Sequence, residues 1–180
     1  MRTALIGGIG NVLLGDDGVG PYVLRLLESH YSFGDDIELL DLGTPALDLT
    51  HQIVGLRSLI LIDCITSDDP AGTVAVYNKE DILKIAPTER LDPHSPALSE
   101  CLLTAEMLGA SPENVLLVGI TGTSFEPGEP LTDRVQASID KVIDEILKEL
   151  NRLGYSWQKK SFPGTDVVWW TNKTERPSVN

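Results

Sequence analysis

Short apolar runs alternate with amphipathic stretches along most of this chain. Arg2 to Gly7 reads as a buried strand, and Gly20-Pro21 then opens a helix in which Val23, Leu26, Leu27 and His30 recur at helical spacing. Ile37 to Leu42 predicts a second strand and Pro45 to Val54 a second helix. Leu59-Ile60-Leu61-Ile62 is the most strand-like run and ends at Asp63. Thr73 to Tyr77 is a β-branched segment introduced by the turn residues Asp69-Pro70-Ala71-Gly72. Ser95-Pro96 opens a helix with Leu98, Cys101, Leu102 and Ala105 on one face, and Gly109 would end it. Val115 to Ile120 is a last apolar strand. From Thr132 to about Leu153, Val135, Ile139, Val142, Ile143, Ile146 and Leu150 make the clearest helical stripe. Strands alternating with helices predict a three-layer α/β/α sandwich around a twisted, mostly parallel sheet of about five strands.

At 180 residues the chain fits one ordinary domain. The expected division is a domain over residues 1–153 and a Trp-rich extension over 154–180, which holds Trp157, Trp169 and Trp170. That tail either packs an aromatic strand back on the domain, the favoured reading, or is a mobile or partner-binding extension. No apolar run is long enough to span a membrane, and Thr3-Ala4-Leu5-Ile6 is too short for a signal-peptide core. A cytoplasmic chain is expected. The net charge of -13 opposes nucleic acid as a partner and favours a basic peptide or a cation. Cys64 and Cys101 form no C-x-x-C pair and read as reduced thiols.

The first strand runs into Gly7-Gly8-Ile9-Gly10-Asn11, then Leu13-Leu14-Gly15-Asp16-Asp17-Gly18-Val19-Gly20. A dinucleotide fingerprint would need a glycine where Leu13 stands, and Asp16 and Asp17 would repel a pyrophosphate. The carboxylates suit a cation better. In open α/β sheets ligands collect beyond the carboxyl ends of the strands. Asp17 lies on the loop after the first strand, Asp63 at a strand end, and His94 on the loop before Ser95-Pro96. Converging, these two carboxylates and one imidazole would hold a divalent ion with positions to spare. Spacing alone leaves plainer roles open: a turn cap for Asp63, a helix cap for Asp17, a surface position for His94.

The run Gly8-x-Gly10-Asn11-x-Leu13-x-x-Asp16-Asp17-Gly18-x-Gly20 resembles the N-terminal signature of the hydrogenase maturation proteases. The likeness continues through Asp41-Leu42-Gly43-Thr44, Asp63, Gly72-Thr73, Pro93-His94, Val118-Gly119-Ile120 and Pro130-Leu131-Thr132. The resemblance implies an endopeptidase, aspartic-type in formal classification, that removes a short C-terminal extension from the nickel-loaded precursor of a nickel-iron hydrogenase large subunit. It implies Asp17, Asp63 and His94 as both metal ligands and catalytic groups. The nickel would arrive with the substrate, and Zn or Cd could take its place in crystals. Hydrogenase accessory chaperones are candidate further partners, and a monomer is favoured. Asp16 and Asp41 are weaker candidates for orienting a ligand or acting as base, with cap or turn roles favoured for both. Two rivals are a non-catalytic nickel-binding chaperone and a hydrolase using Cys64 as nucleophile with His94 as base. Neighbouring strand residues point to opposite faces, so a site-facing Asp63 would turn Cys64 into the core.

Overall fold

The computed structural model describes residues 2–44, 49–84 and 95–162, the side chains of 95–97 excepted. In chain order the elements are β1 (Ala4–Ile9), a 3-10 turn (Gly15–Gly18), α1 (Val19–His30), β2 (Tyr31–Phe33), β3 (Ile37–Gly43), α2 (Leu49–Ile53) and β4 (Ser58–Ile65). Then come β5 (Val74–Asn78), α3 (Lys79–Lys84), α4 (Ser95–Met107), β6 (Asn114–Thr121), α5 (Asp133–Gln136), α6 (Ile139–Leu153) and β7 (Trp157–Lys159).

The central sheet has the order β3-β1-β4-β6-β5. Its first four strands pair in parallel, and β5 closes the far edge antiparallel to β6. Strands buried on both faces read as unbroken apolar runs, which is why β1 and β4 are buried throughout. Their side chains divide by parity. Ile6, Ile60, Ile62, Val118 and Ile120 meet α1 and α6 on one face. Leu5, Leu59, Leu61, Val115 and Leu117 meet α2, α3 and α4 on the other. The three-layer α/β/α sandwich and the mostly parallel five-stranded sheet are therefore as expected.

Helix α1 lies unusually close to β1. A Cβ on Gly8 would stand 2.7 Å from the Gly20 carbonyl oxygen and 2.9 Å from the Pro21 nitrogen. Both obstacles are backbone and cannot swing aside. Gly8→Ala should cost about 2–3 kcal/mol by overpacking, read as a lower midpoint in urea unfolding.

Several boundaries differ from the sequence-based expectation. Helix α1 starts at Val19, which puts Pro21 in the first turn but third in line. A proline is harmless there, since the first four helical N–H groups have no intrahelical partner. Strand β4 does not stop at Asp63 but runs to Ile65, because β6 keeps pairing with it as far as Ile65 opposite Thr121. The long C-terminal helix is broken between α5 and α6 at Ala137-Ser138. At the break Ser138 Oγ donates to the carbonyl oxygens of Gly72, at 2.6 Å, and Arg134, at 3.1 Å, docking the β4–β5 turn. Strand β2 and helix α3 carry too few periodic positions to be anticipated.

Of the two readings of the tail, packing holds for its described part. β7 pairs antiparallel with β2, and Trp157 meets Tyr31 edge-on at 5.7 Å while its indole N–H donates to Asn151 Oδ1 at 2.9 Å. Trp169 and Trp170 lie outside the described residues, as do the first four positions of the helix expected over Pro45 to Val54. No described helix is long and apolar enough to cross a membrane.

Candidate functional site

Chain paths diverge between β1 and β4. From β1 the chain passes through α1 on one face to reach β3 at one edge; from β4 it passes α4 on the opposite face to reach β6 on the other side. Such a reversal opens a crevice beyond the carboxyl ends of the two strands, where α/β proteins bind ligands. The loop after β1 carries Asp17, and β4 delivers Asp63.

Asp63 is the first residue of β4 beyond its pairing with β1, which ends at Gly8 opposite Ile62. It is buried, and its Oδ1 accepts the Cys64 N–H at 2.8 Å. By the two-residue period it shares the face of Leu59 and Leu61, the side of the sheet covered by α4. Cys64 points the other way, buried in the core with α1 and α6. A buried, core-facing thiol is poorly placed as a nucleophile.

Asp17 sits in the 3-10 turn, which packs against β4. It is 7% exposed. Its Oδ2 accepts the Asn11 N–H at 2.7 Å, and its own N–H donates to the Leu14 carbonyl at 3.1 Å. The other carboxylate oxygen has no hydrogen-bond partner among the described residues. Asp17 does not cap α1, whose N-cap is Gly18 with no side-chain bond.

Asp16 has a different task. Fully buried, it accepts the N–H groups of Thr123, Ser124 and Thr132 at 2.9, 3.1 and 2.7 Å and the Thr132 hydroxyl at 3.2 Å. Thr132 in turn caps α5. Four donors occupy the carboxylate, so it works as a tie between the first loop and the β6–α5 loop, not as a free base. The neighbouring Gly15 has φ +53, and a Cβ there would stand 2.5 Å from the Ser124 carbonyl oxygen. Asp41 is exposed and accepts the Gly43 N–H at 3.0 Å, the turn role favoured for it.

The structure thus brings Asp17 and Asp63 to one rim of the sheet. His94 lies outside the described residues, immediately before α4. Among the described residues alone, no three His, Cys, Asp or Glu side chains form a metal-holding group. Sequence reasoning missed Thr123, Ser124 and Thr132 as partners of Asp16. The one available signal was Thr132 itself, a capping residue ahead of an apolar stripe.

Fold and site define an α/β protein with two buried carboxylates at the carboxyl rim of its sheet, beside the topological switch point. Residues 21–149 match the HycI family model, described as hydrogenase maturation protease, a stretch that begins after Asp17 and contains Asp63 and His94. This chain belongs to the hydrogenase maturation protease family. The hydrogenase 2 maturation protease of Escherichia coli is 32% identical over 151 residues, spanning 83% of this chain and 92% of that protein. The hydrogenase expression/formation protein HoxM of Cupriavidus necator is 30% identical over 148 residues, covering 82% and 73% of the two chains. Among solved structures, the hydrogenase maturating endopeptidase HybD of Escherichia coli superposes with a TM-score of 0.82 at 30% identity, over 89% of this chain and 99% of that one. The [NiFe] hydrogenase maturation protease HybD from Thermococcus kodakarensis gives 0.65 at 28% identity, over 83% and 99%.

Proposed function

We propose that this chain is an endopeptidase that removes a short C-terminal extension from the nickel-loaded precursor of a nickel-iron hydrogenase large subunit, recognising the bound nickel through Asp17, Asp63 and His94. The observation that carries this reading is the placement of two buried carboxylates, Asp17 and Asp63, at the switch point of a chain from this family. The relatives named as maturation proteases and endopeptidases support the peptidase activity.

Nickel here is cargo of the substrate. The donor chemistry fits it. Asp17 keeps one oxygen without a partner among the described residues, a poor arrangement for a buried carboxylate unless a cation or donor completes it. Two carboxylates and an imidazole would leave coordination positions for ligands brought by the precursor, so that a loaded precursor is held and an empty one is not. When bound, such an ion supplies Lewis-acid polarisation of a carbonyl or an activated water. On this reading Asp17, Asp63 and His94 are at once the ligands and the catalytic groups, and the enzyme is aspartic-type in formal terms. Cys64 and Cys101, both buried and outside any disulfide, fit a reducing, cytoplasmic setting.

The test is the intact mass of nickel-loaded and nickel-free precursor after incubation with the purified chain. Loss of a C-terminal peptide from the loaded form only is expected. A precursor that binds without being shortened would favour the chaperone reading, and equal cleavage of both forms would remove the role of nickel.

A further inference from the structure

Two large apolar side chains stand out of the loops that frame the site. Leu13 is 55% exposed, on the loop that delivers Asp17, and Phe125 is 43% exposed, on the loop tied down by Asp16. Neither sits on a loose tip. The Leu13 N–H donates to Asn11 Oδ1 at 3.0 Å, and the Leu13 carbonyl accepts the Gly128 N–H at 2.8 Å. Leu14 and Pro127 form an antiparallel bridge, and the Asp16 N–H donates to the Ser124 carbonyl at 2.7 Å. The two loops therefore run side by side as one fixed lip. A Cβ on Gly122 would lie 3.2 Å from the ring edge of Phe125 and 3.0 Å from the Asp16 Cβ, and against the Cys64 sulfur as well. That places the ring beside the end of β4, on the face that carries Cys64 and close to the loop that delivers Asp17. Exposed apolar groups gathered on one lip and rimmed by polar residues are a signature of an interaction site, which single scattered ones are not.

Charge narrows the occupant. Loops 10–18, 66–73 and 122–132 contain no Lys or Arg, and the first cation after the last of them is Arg134 on α5. They expose Asp68, Asp69, Glu126 and Glu129. Cations gather at the opposite end of the sheet, where Arg2 precedes β1 and pairs with Glu38, and Lys79 follows the antiparallel β5 and pairs with Glu106.

We infer that Leu13 and Phe125, ringed by these carboxylates, are the docking lip for the C-terminal segment of the precursor, and that this segment carries an apolar side chain next to basic residues. The inference rests on the function proposed above and adds the chemistry of what is bound. Apolar contact supplies affinity, and the acidic ring steers and selects.

The experiment measures precursor binding by calorimetry and processing by KM and kcat, for wild type, a Leu13→Ser/Phe125→Ser double variant, Glu126→Lys and the control Met107→Ser. Met107 is 89% exposed at the far end of α4, away from the lip. The double variant is expected to raise Kd and KM about tenfold or more, with the loss in KM rather than kcat, since substrate and transition state use the lip alike. Wild-type binding should weaken severalfold as salt rises from about 50 to 300 mM, and less so in Glu126→Lys. Met107→Ser should match wild type. A Kd within about twofold of wild type in the double variant, or binding indifferent to salt, would overturn the inference. Failure of processing with binding intact would count against the peptidase reading alone, and the Kd ratio would still judge the lip. A precursor that wild type does not bind would overturn both.

Discussion

Asp17→Asn is expected to slow processing of nickel-loaded precursor by more than about 100-fold while leaving the fold intact. Removing a hydrogen-bonding partner one step away from a metal ligand typically costs about 10–100-fold, and loss of the charged ligand itself should exceed that. The amide keeps an oxygen to accept the Asn11 N–H, the one side-chain hydrogen bond Asp17 makes among the described residues, so stability should change by less than about 1 kcal/mol. His94→Ala should show the same pattern. Single-turnover processing together with urea unfolding would decide. Wild-type rates in both variants would leave the proposed ligand set without support.

The neighbouring substitution should behave in the opposite way. Asp16→Ala strips four donors of their acceptor in a fully buried place, leaving the Thr123, Ser124 and Thr132 N–H groups without it. Unsatisfied donors cost about 1–3 kcal/mol each when shut from water, and these part-buried ones recover some of that from solvent, so a loss of about 3–5 kcal/mol is expected. For a chain of this size that corresponds to a Tm lower by about 10–15 °C. Thr132→Val, which keeps the N–H and loses only the hydroxyl, should cost much less, about 1 kcal/mol. Calorimetry on the two variants checks the ranking. Equal stability of Asp16→Ala and wild type would mean that the carboxylate does not tie the loops together.

The layers of the fold were legible because burial imposes a simple code. A strand covered on both faces must be apolar throughout, as Leu59 to Ile62 is, and a helix on one face must carry a stripe, as Val142, Ile146 and Leu150 do. What escaped depended on partners far away in the chain. The break between α5 and α6 follows from Ser138 bonding Gly72, and the extra length of β4 follows from β6 lying beside it. Of the site, only position was legible: glycine-rich loops and the carboxyl ends of parallel strands collect at one rim, and Asp17 and Asp63 both lie there. The division of labour between Asp16 and Asp17 was not. Adjacent residues of one type differ here only in which donors surround them, and those donors come from residues 123 to 132.

The tie made by Asp16 also sets when the molecule can become whole. Its strongest bond reaches a residue 116 positions later. During synthesis from the N-terminus, β1 and the first loop leave the ribosome long before Thr132 exists, and β1 must wait for both β3 and β4 to flank it. Contacts of such wide separation close late and slowly. A nascent or prematurely ended chain therefore holds Asp17 on an unanchored loop, and competence arrives only with the last third of the polypeptide.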